Sequence, residues 1–280
     1  KSWCKLCLLV AGVLLLQAGM FGWMVAGGVF GLADGGFVTT AIVWALFAAT
    51  GALVYLIKSR LKEGAEAKQE EAAANRVKYN PSVFSHLLFQ QPKADCTPFE
   101  EELLIGNPDS PVNITMAASL RCGPCKEGFE QATRLVRMYP EKVNLSVRFS
   151  LSQQSDAVET DPGRYLLGYW LTALNGTDDQ SFQAEKVLKD WFELSDLNRF
   201  REKYSFQTNG ENQNIDAVVS YHSDWFKKAE IKGTPTFFVN GYKLPTQYRV
   251  EDLRYVVTGF SEMITTENGN MKGVVTAHEI

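Results

Sequence analysis

The chain has 280 residues, 45% of them hydrophobic, and a formal net charge of −4. A mildly acidic chain without a basic patch gives no support for a nucleic-acid partner. Five cysteines, four of them in two Cys-x-x-Cys pairs, point to thiol chemistry on the oxidising side of a membrane.

The chain opens on Lys1 rather than Met and reads as part of a longer polypeptide. Residues 6–33 carry no charge, with Gln17 their one strongly polar side chain, and residues 35–57 are likewise uncharged. Each stretch exceeds the roughly 20 residues needed to cross a bilayer as a helix. Asp34-Gly35-Gly36 joins them tightly, so residues 1–58 are expected to form a transmembrane helical hairpin. A cleaved signal peptide is the competing reading of the basic start, and the second apolar stretch argues against it. Cys4 and Cys7 open the first span, with Trp3 and Lys5 as interfacial anchors. Two crossings return the chain to the side it left, which places both cysteine pairs in one compartment. Taken alone, Cys4 and Cys7 read equally well as apolar packing positions. Lys58, Arg60 and Lys62 after the second span would put the soluble part inside the cell by charge counting. The redox logic outweighs that bias and favours a domain facing the periplasm or cell exterior of a bacterial inner membrane.

Residues 59–92 read as a helical stalk and linker. The Ala, Glu, Lys and Gln of 61–75 continue the second span, Asn80-Pro81 ends it, and a short helix follows at 81–91. A compact domain is expected over 93–265, with a loose tail at 266–280. Cys96, the odd cysteine, reads as a free thiol. A first strand is expected at 103–105. Val112, Ile114 and Met116 alternate with Asn113 and Thr115, a strand pattern running into Cys122-Gly123-Pro124-Cys125. From Lys126 to Tyr139 the apolar residues recur at helical spacing until Pro140. The first cysteine then sits at a helix N-terminus, where free N–H groups and the dipole stabilise a thiolate. Cys122 is therefore the expected nucleophile and Cys125 the resolving thiol. A zinc site would need two more ligands, and His86, His222 and His278 are scattered singly.

Residues 143–149 alternate as a further strand. Helical spacing then recurs at 165–174, 181–194, 195–204 and 215–229, broken at Asn175-Gly176 and Asn209-Gly210. Tyr169, Trp170, Trp191, Phe192, Trp225 and Phe226 read as packing of a helical core. Thr236–Val239 is a β-rich run ended by the Asn240-Gly241 turn; a last strand begins at 242–243 and a closing helix is expected at 250–260.

The Cys-Gly-Pro-Cys after a strand, with Gly233-Thr234-Pro235-Thr236 far downstream, resembles the thioredoxin superfamily. The resemblance implies an α/β thioredoxin-like domain. It also implies a cis peptide at Thr234–Pro235 that, with Gly123 and Pro124, holds a thiol substrate beside Cys122. Helices inserted at about 160–231, between the second and third core strands, are the plan of the DsbA-like branch. One departure stands out. Six residues before the first cysteine many members carry a buried carboxylate, and this chain has Met116.

Trp3-Cys4-Lys5-Leu6-Cys7-Leu8-Leu9-Val10 at the head of an apolar helix resembles the fourth helix of the vitamin K epoxide reductase family, whose bacterial members are often fused to a thioredoxin-like domain. That resemblance implies that Cys4 and Cys7 pass electrons to a bound quinone, ubiquinone or menaquinone, with Cys7 nearer to it. Three further helices and a loop cysteine pair would lie upstream of Lys1. The expected function is a membrane thiol–disulfide oxidoreductase acting on thiol-containing substrate proteins. A tethered disulfide reductase or isomerase and a non-catalytic module of a membrane complex are the alternatives.

Overall fold

The computed structural model describes residues 5–27, 36–99, 101–152, 158, 160–174, 180–206 and 212–266. Contacts divide the chain into two units, residues 1–75 and 76–280.

The first unit is helical, with α1 (Lys5–Ala26) and α2 (Gly36–Lys78), the latter running on past residue 75. Gln17 donates to the Thr50 hydroxyl at 3.2 Å, tying the two helices. Beyond Ile57, α2 is polar and laced with pairs such as Lys62–Glu66 at 3.5 Å. Among the described residues no helix is long and apolar enough to cross a membrane. Of the spans expected at 6–33 and 35–57, the described residues form helix over Lys5–Ala26 and from Gly36 on. Residues 28–35, which fall within and between those two stretches, lie outside the described residues.

The second unit starts from α3 (Pro81–Phe89). Asn80 caps it, its Oδ1 accepting the Ser82 and Val83 N–H groups, and Pro81 fills a first-turn position where no N–H is needed. Phe84 and Leu88 are fully buried. The 81–89 helix thus belongs to the domain core, not to a linker ending at residue 92, because its apolar face is covered by Tyr248 and Phe260 rather than solvent.

Among the described residues five strands form one mixed sheet in the order β1 (Leu103–Ile105), β3 (Val143–Phe149), β2 (Val112–Ala118), β4 (Thr236–Val239), β5 (Tyr242–Lys243). β2 and β3 are parallel, the other pairs antiparallel. Parallel neighbours need a crossover, and α4 (Gly123–Met138) supplies it, burying Phe129, Ala132, Leu135 and Val136 in the same core as Ile114, Met116, Leu145 and Val147. Gly106, at φ +98°, lets the loop after β1 close on α4, since a Cβ there would lie 2.8 Å from Val136 Cγ1. At the β4–β5 turn both Asn240 and Gly241 have positive φ, the pattern of a type I′ hairpin.

Between β3 and β4 the chain inserts α5 (Pro162–Tyr169), a wide π turn (Trp170–Leu174), α6 (Gln180–Leu194), α7 (Leu197–Lys203) and α8 (Asn212–Lys228). Trp170, Trp191 and Trp225 are buried, in keeping with core packing. The breaks at Asn175-Gly176 and Asn209-Gly210 lie outside the described residues, as does the tail from 267. The closing helix differs from the 250–260 expectation. It begins as a 3-10 turn (Val250–Tyr255) and continues as helix over 257–266, because Asp252 accepts the Arg249 N–H while also bonding Lys78 and Tyr79.

The sheet face turned away from α4 is polar in part. Ala117 pairs with Arg148 in the β2–β3 register, so Arg148 lies on the opposite face from Met116 and Val147. His222 of α8 is fully buried, and its Nδ1 accepts the Phe149 N–H at 2.9 Å, which requires an unprotonated Nδ1. Burial, helped by the charge of Arg148, holds its pKa down to about 3. The unfolded chain takes up this proton below about pH 6.5 and the folded chain does not. Stability is thus full above pH 6.5 and falls with pH toward 3, by up to about 1.4 kcal/mol per pH unit from this one ring. Urea midpoints measured from pH 7 to 4 are expected to drop on this account, and a His222→Gln protein should show a slope smaller by one proton. An unchanged slope would remove His222 from the account.

Candidate redox-active site

The site is assembled at the end of β2. The register sets Met116 against Phe237 and Ala117 against Thr236, which brings Pro235 beside the turn that leads to Cys122. Cys122 is the N-cap of α4, with extended backbone, and Pro124 occupies the first turn. Cys122 and Cys125 form a disulfide with Cα atoms 5.3 Å apart. Their exposure differs sharply: Cys125 is fully buried, Cys122 half-buried. Gly123 and Pro124 are exposed beside it.

Cys122 Sγ lies 3.4 Å from the Thr234 carbonyl oxygen, and the Thr234–Pro235 peptide is cis. Once the disulfide is reduced, the Cys122 thiol is positioned to donate to that carbonyl. Thr236 Oγ1 donates to the Gly233 carbonyl at 2.7 Å and closes the loop. Residues 122–125 and 233–236, over 100 positions apart in sequence, therefore form one surface. Gly128 makes this approach possible. A Cβ at that position would lie 3.0 Å from the Phe237 ring and 3.5 Å from Pro235 Cγ. In the sequence the one sign of this contact is a glycine inside an otherwise amphipathic helix; nothing there marks Phe237.

No carboxylate lies beneath the disulfide on the α4 face among the described residues. Met116 is fully buried there, and the buried ionisable groups Glu102, Arg148, Arg164 and His222 bond elsewhere. As the N-cap of α4, Cys122 sits at the helix N-terminus, whose free N–H groups and dipole favour a thiolate there once the disulfide is reduced. Cys96 is not part of the site. It packs with Trp225 and Phe238 on the other sheet face, where burial pushes its thiol up against the opposing effects of Thr115 and Arg148. Cys4 and the side chain of Cys7 lie outside the described residues, so the second expected pair has no geometry to set beside the first. Among the described residues no group of His, Cys, Asp or Glu is arranged to hold a metal ion.

A family model described as thioredoxin matches residues 99–258, more than half of the chain. A comparison with curated proteins finds no match. Similar solved structures include oxidised BdbD from Bacillus subtilis, 15% identical, covering 61% of this chain and 97% of that one with a TM-score of 0.45. ScsC from Proteus mirabilis in a transitional conformation is 13% identical and covers 77% and 98%, with a TM-score of 0.46. Wolbachia pipientis alpha-DsbA1 is 19% identical and covers 61% and 96%, with a TM-score of 0.44. Such likenesses carry no weight for substrate or direction. The cysteine pair, the facing cis-proline and the match over 99–258 agree, and the chain belongs to the thioredoxin family of thiol–disulfide oxidoreductases.

Proposed function

We propose that the chain is part of a membrane-anchored oxidoreductase that forms disulfides in substrate proteins on the periplasmic or outer side of a bacterial inner membrane. The observation that carries the reading is a half-exposed Cys122 at a helix N-terminus, disulfide-bonded to a buried Cys125 and facing Thr234-Pro235. A substrate thiolate attacks Cys122 Sγ, the Cys122–Cys125 bond breaks, and Cys125 leaves as a thiolate that takes up a proton. A second substrate thiolate then attacks the mixed disulfide and releases Cys122, leaving the substrate oxidised by two electrons and the protein as a dithiol. Attack is directed to Cys122 because Cys125 offers no exposed surface.

Membrane attachment is supported by the uncharged sequences of 6–33 and 35–57 and by outward-facing apolar side chains. Trp23 is 79% exposed and Trp44 68%, with Leu15, Leu16 and Leu53 also exposed. Electrons from Cys122/Cys125 would leave by way of an upstream cysteine pair and Cys4/Cys7. Bound near Cys7, a quinone would supply the terminal acceptor of two electrons and two protons.

The test is the steady-state redox state of Cys122/Cys125 in membranes, trapped by thiol alkylation, in the full-length gene product and its Cys4→Ala variant. The pair is expected mostly oxidised in the parent and reduced in the variant. No difference between the two would defeat the relay. Gly123-Pro124, the dipeptide also found in reducing thioredoxins, favours a second reading as a tethered reductase. A pair held reduced in the parent, with a potential near about −270 mV, would select it.

A further inference from the structure

The inserted helices hold the redox loop at two successive residues of α6. Trp191 is 2% exposed and donates its indole N–H to the backbone carbonyl of Leu120 at 2.9 Å, two residues ahead of Cys122. The next residue, Phe192, sets its ring 5.4 Å from that of Phe129, one turn beyond Cys125 on α4. Leu120 is itself buried and belongs to a tight turn closed by the Cys122 N–H on the Ser119 carbonyl at 3.2 Å.

In a four-residue turn the central peptide is not engaged by the bond that closes it. The two turn types that differ by a flip of this peptide make different demands on Arg121. One keeps its φ negative, as here, and the other needs φ > 0, a strain comparable with leaving a buried carbonyl unpaired, so the Trp191 bond decides between forms of similar energy. The central peptide here joins Leu120 to Arg121. Because a trans peptide points its C=O and N–H in opposite directions, fixing the carbonyl fixes the N–H. Each peptide unit carries a dipole of about 3.5 D, and its orientation next to a sulfur that must become an anion affects the thiolate directly.

We propose that Trp191 is a positioning residue for the exchanging thiol: its indole N–H holds the Leu120 carbonyl in the core, so that the Leu120–Arg121 peptide turns its positive N–H end to the exposed side from which Cys122 reacts. The inference rests on Cys122 being the exchanging thiol. It assigns to the helical insertion a part in tuning that thiol. Without the donor, the buried carbonyl is left unpaired and the peptide flips to reach solvent, presenting its negative end instead.

The test compares Trp191→Phe with the parent in the full chain, reduced, by the rate of iodoacetamide modification of Cys122 at pH 6, followed by mass spectrometry of the Cys122 peptide. Below the thiol pKa this rate follows the thiolate fraction. Roughly fivefold slower modification is expected in Trp191→Phe, with the titration midpoint moved up. Phe200→Leu is the control, because Phe200 meets the Trp191 ring edge-on at 5.1 Å and takes no part in the hydrogen bond. It should lower stability and leave the rate unchanged. If Trp191→Phe does not fold, 3-benzothienylalanine at position 191 keeps the ring shape, replaces N–H by sulfur and is expected to give the same slowing. A rate equal to the parent's in the variant that lacks the donor, or an equal slowing in Phe200→Leu, overturns the proposal. A parent Cys122 that titrates like an ordinary thiol defeats the underlying assignment of the nucleophile, and that is visible before any variant is made.

Discussion

A Cys122→Ala protein loses thiol–disulfide exchange by on the order of 10³-fold or more, the scale expected when a covalent nucleophile is removed. Cys125→Ala behaves differently and accumulates a mixed disulfide with substrate. The asymmetry comes from position. Cys122, the N-cap of α4, keeps part of its surface in solvent, whereas Cys125 lies one turn inside with no exposed area. An incoming sulfur reaches only the first, and the second is placed to resolve the product from within. Exchange is read both as oxidation of a dithiol peptide and as reduction of a disulfide protein, so the outcome does not depend on the direction of net electron flow. The mixed disulfide appears as a slower band on a non-reducing gel that collapses with dithiothreitol. Normal-rate exchange by Cys122→Ala would sink the assignment, as would a Cys125→Ala protein that turns over without trapping substrate.

The residues at this site were readable because their signals are local. An alternating strand, a cysteine pair with proline in the first turn, an apolar helical stripe and an Asn-Gly turn each declare themselves within ten residues. The joining of residues 122–125 to 233–236 came from resemblance and not from pattern, since nothing local links positions that far apart. Long-range polar contacts were not readable at all. His222 looks in sequence like any isolated histidine, and only the arrival of α8 beneath β3 makes it an acceptor for the Phe149 N–H. Trp191 reads as packing in the sequence, which holds for its buried ring but gives no sign of the bond its N–H makes to Leu120. A nine-residue amphipathic segment such as 81–89 does not reveal in sequence what covers it and so looks like linker; Tyr248 and Phe260, more than 150 residues on, cover it. The same limit applies to Glu102 and Arg148, whose pairing nothing local in the sequence announces.

Those two residues carry the largest expected effect on stability. Arg148 and Glu102 have side chains 0% and 1% exposed, with Nε 2.6 Å from Glu102 Oε1 and Nη2 3.2 Å from Oε2. The remaining donors are not left idle: Nη1 reaches the Asp95 carbonyl at 3.0 Å and Nη2 the Thr97 carbonyl at 2.9 Å. Trp225 flanks the guanidinium at 4.8 Å, with Tyr221 at 5.4 Å. Glu102 also accepts the Phe99 N–H. Burial pushes the Glu102 carboxyl up, opposed by Arg148, and the guanidinium remains charged. One pair thus fastens the 95–102 segment to β3. Removing either member leaves the other charge buried and unpaired, at a cost of about 3–5 kcal/mol. For a domain of this size that lowers the melting temperature by roughly 6–20 °C. Glu102→Leu and Arg148→Met are each expected to show it, while the double replacement recovers much of the loss because no lone charge remains. Urea unfolding of the four proteins measures the coupling directly. Arg148 projects from the sheet face opposite α4, so whatever fraction stays folded should exchange disulfides at the parental rate. Singles as stable as the parent would mean that the 95–102 segment is held by its backbone bonds alone. A loss of exchange in folded protein would mean that the two faces of the sheet are coupled, and that the pair acts on the thiol through β2.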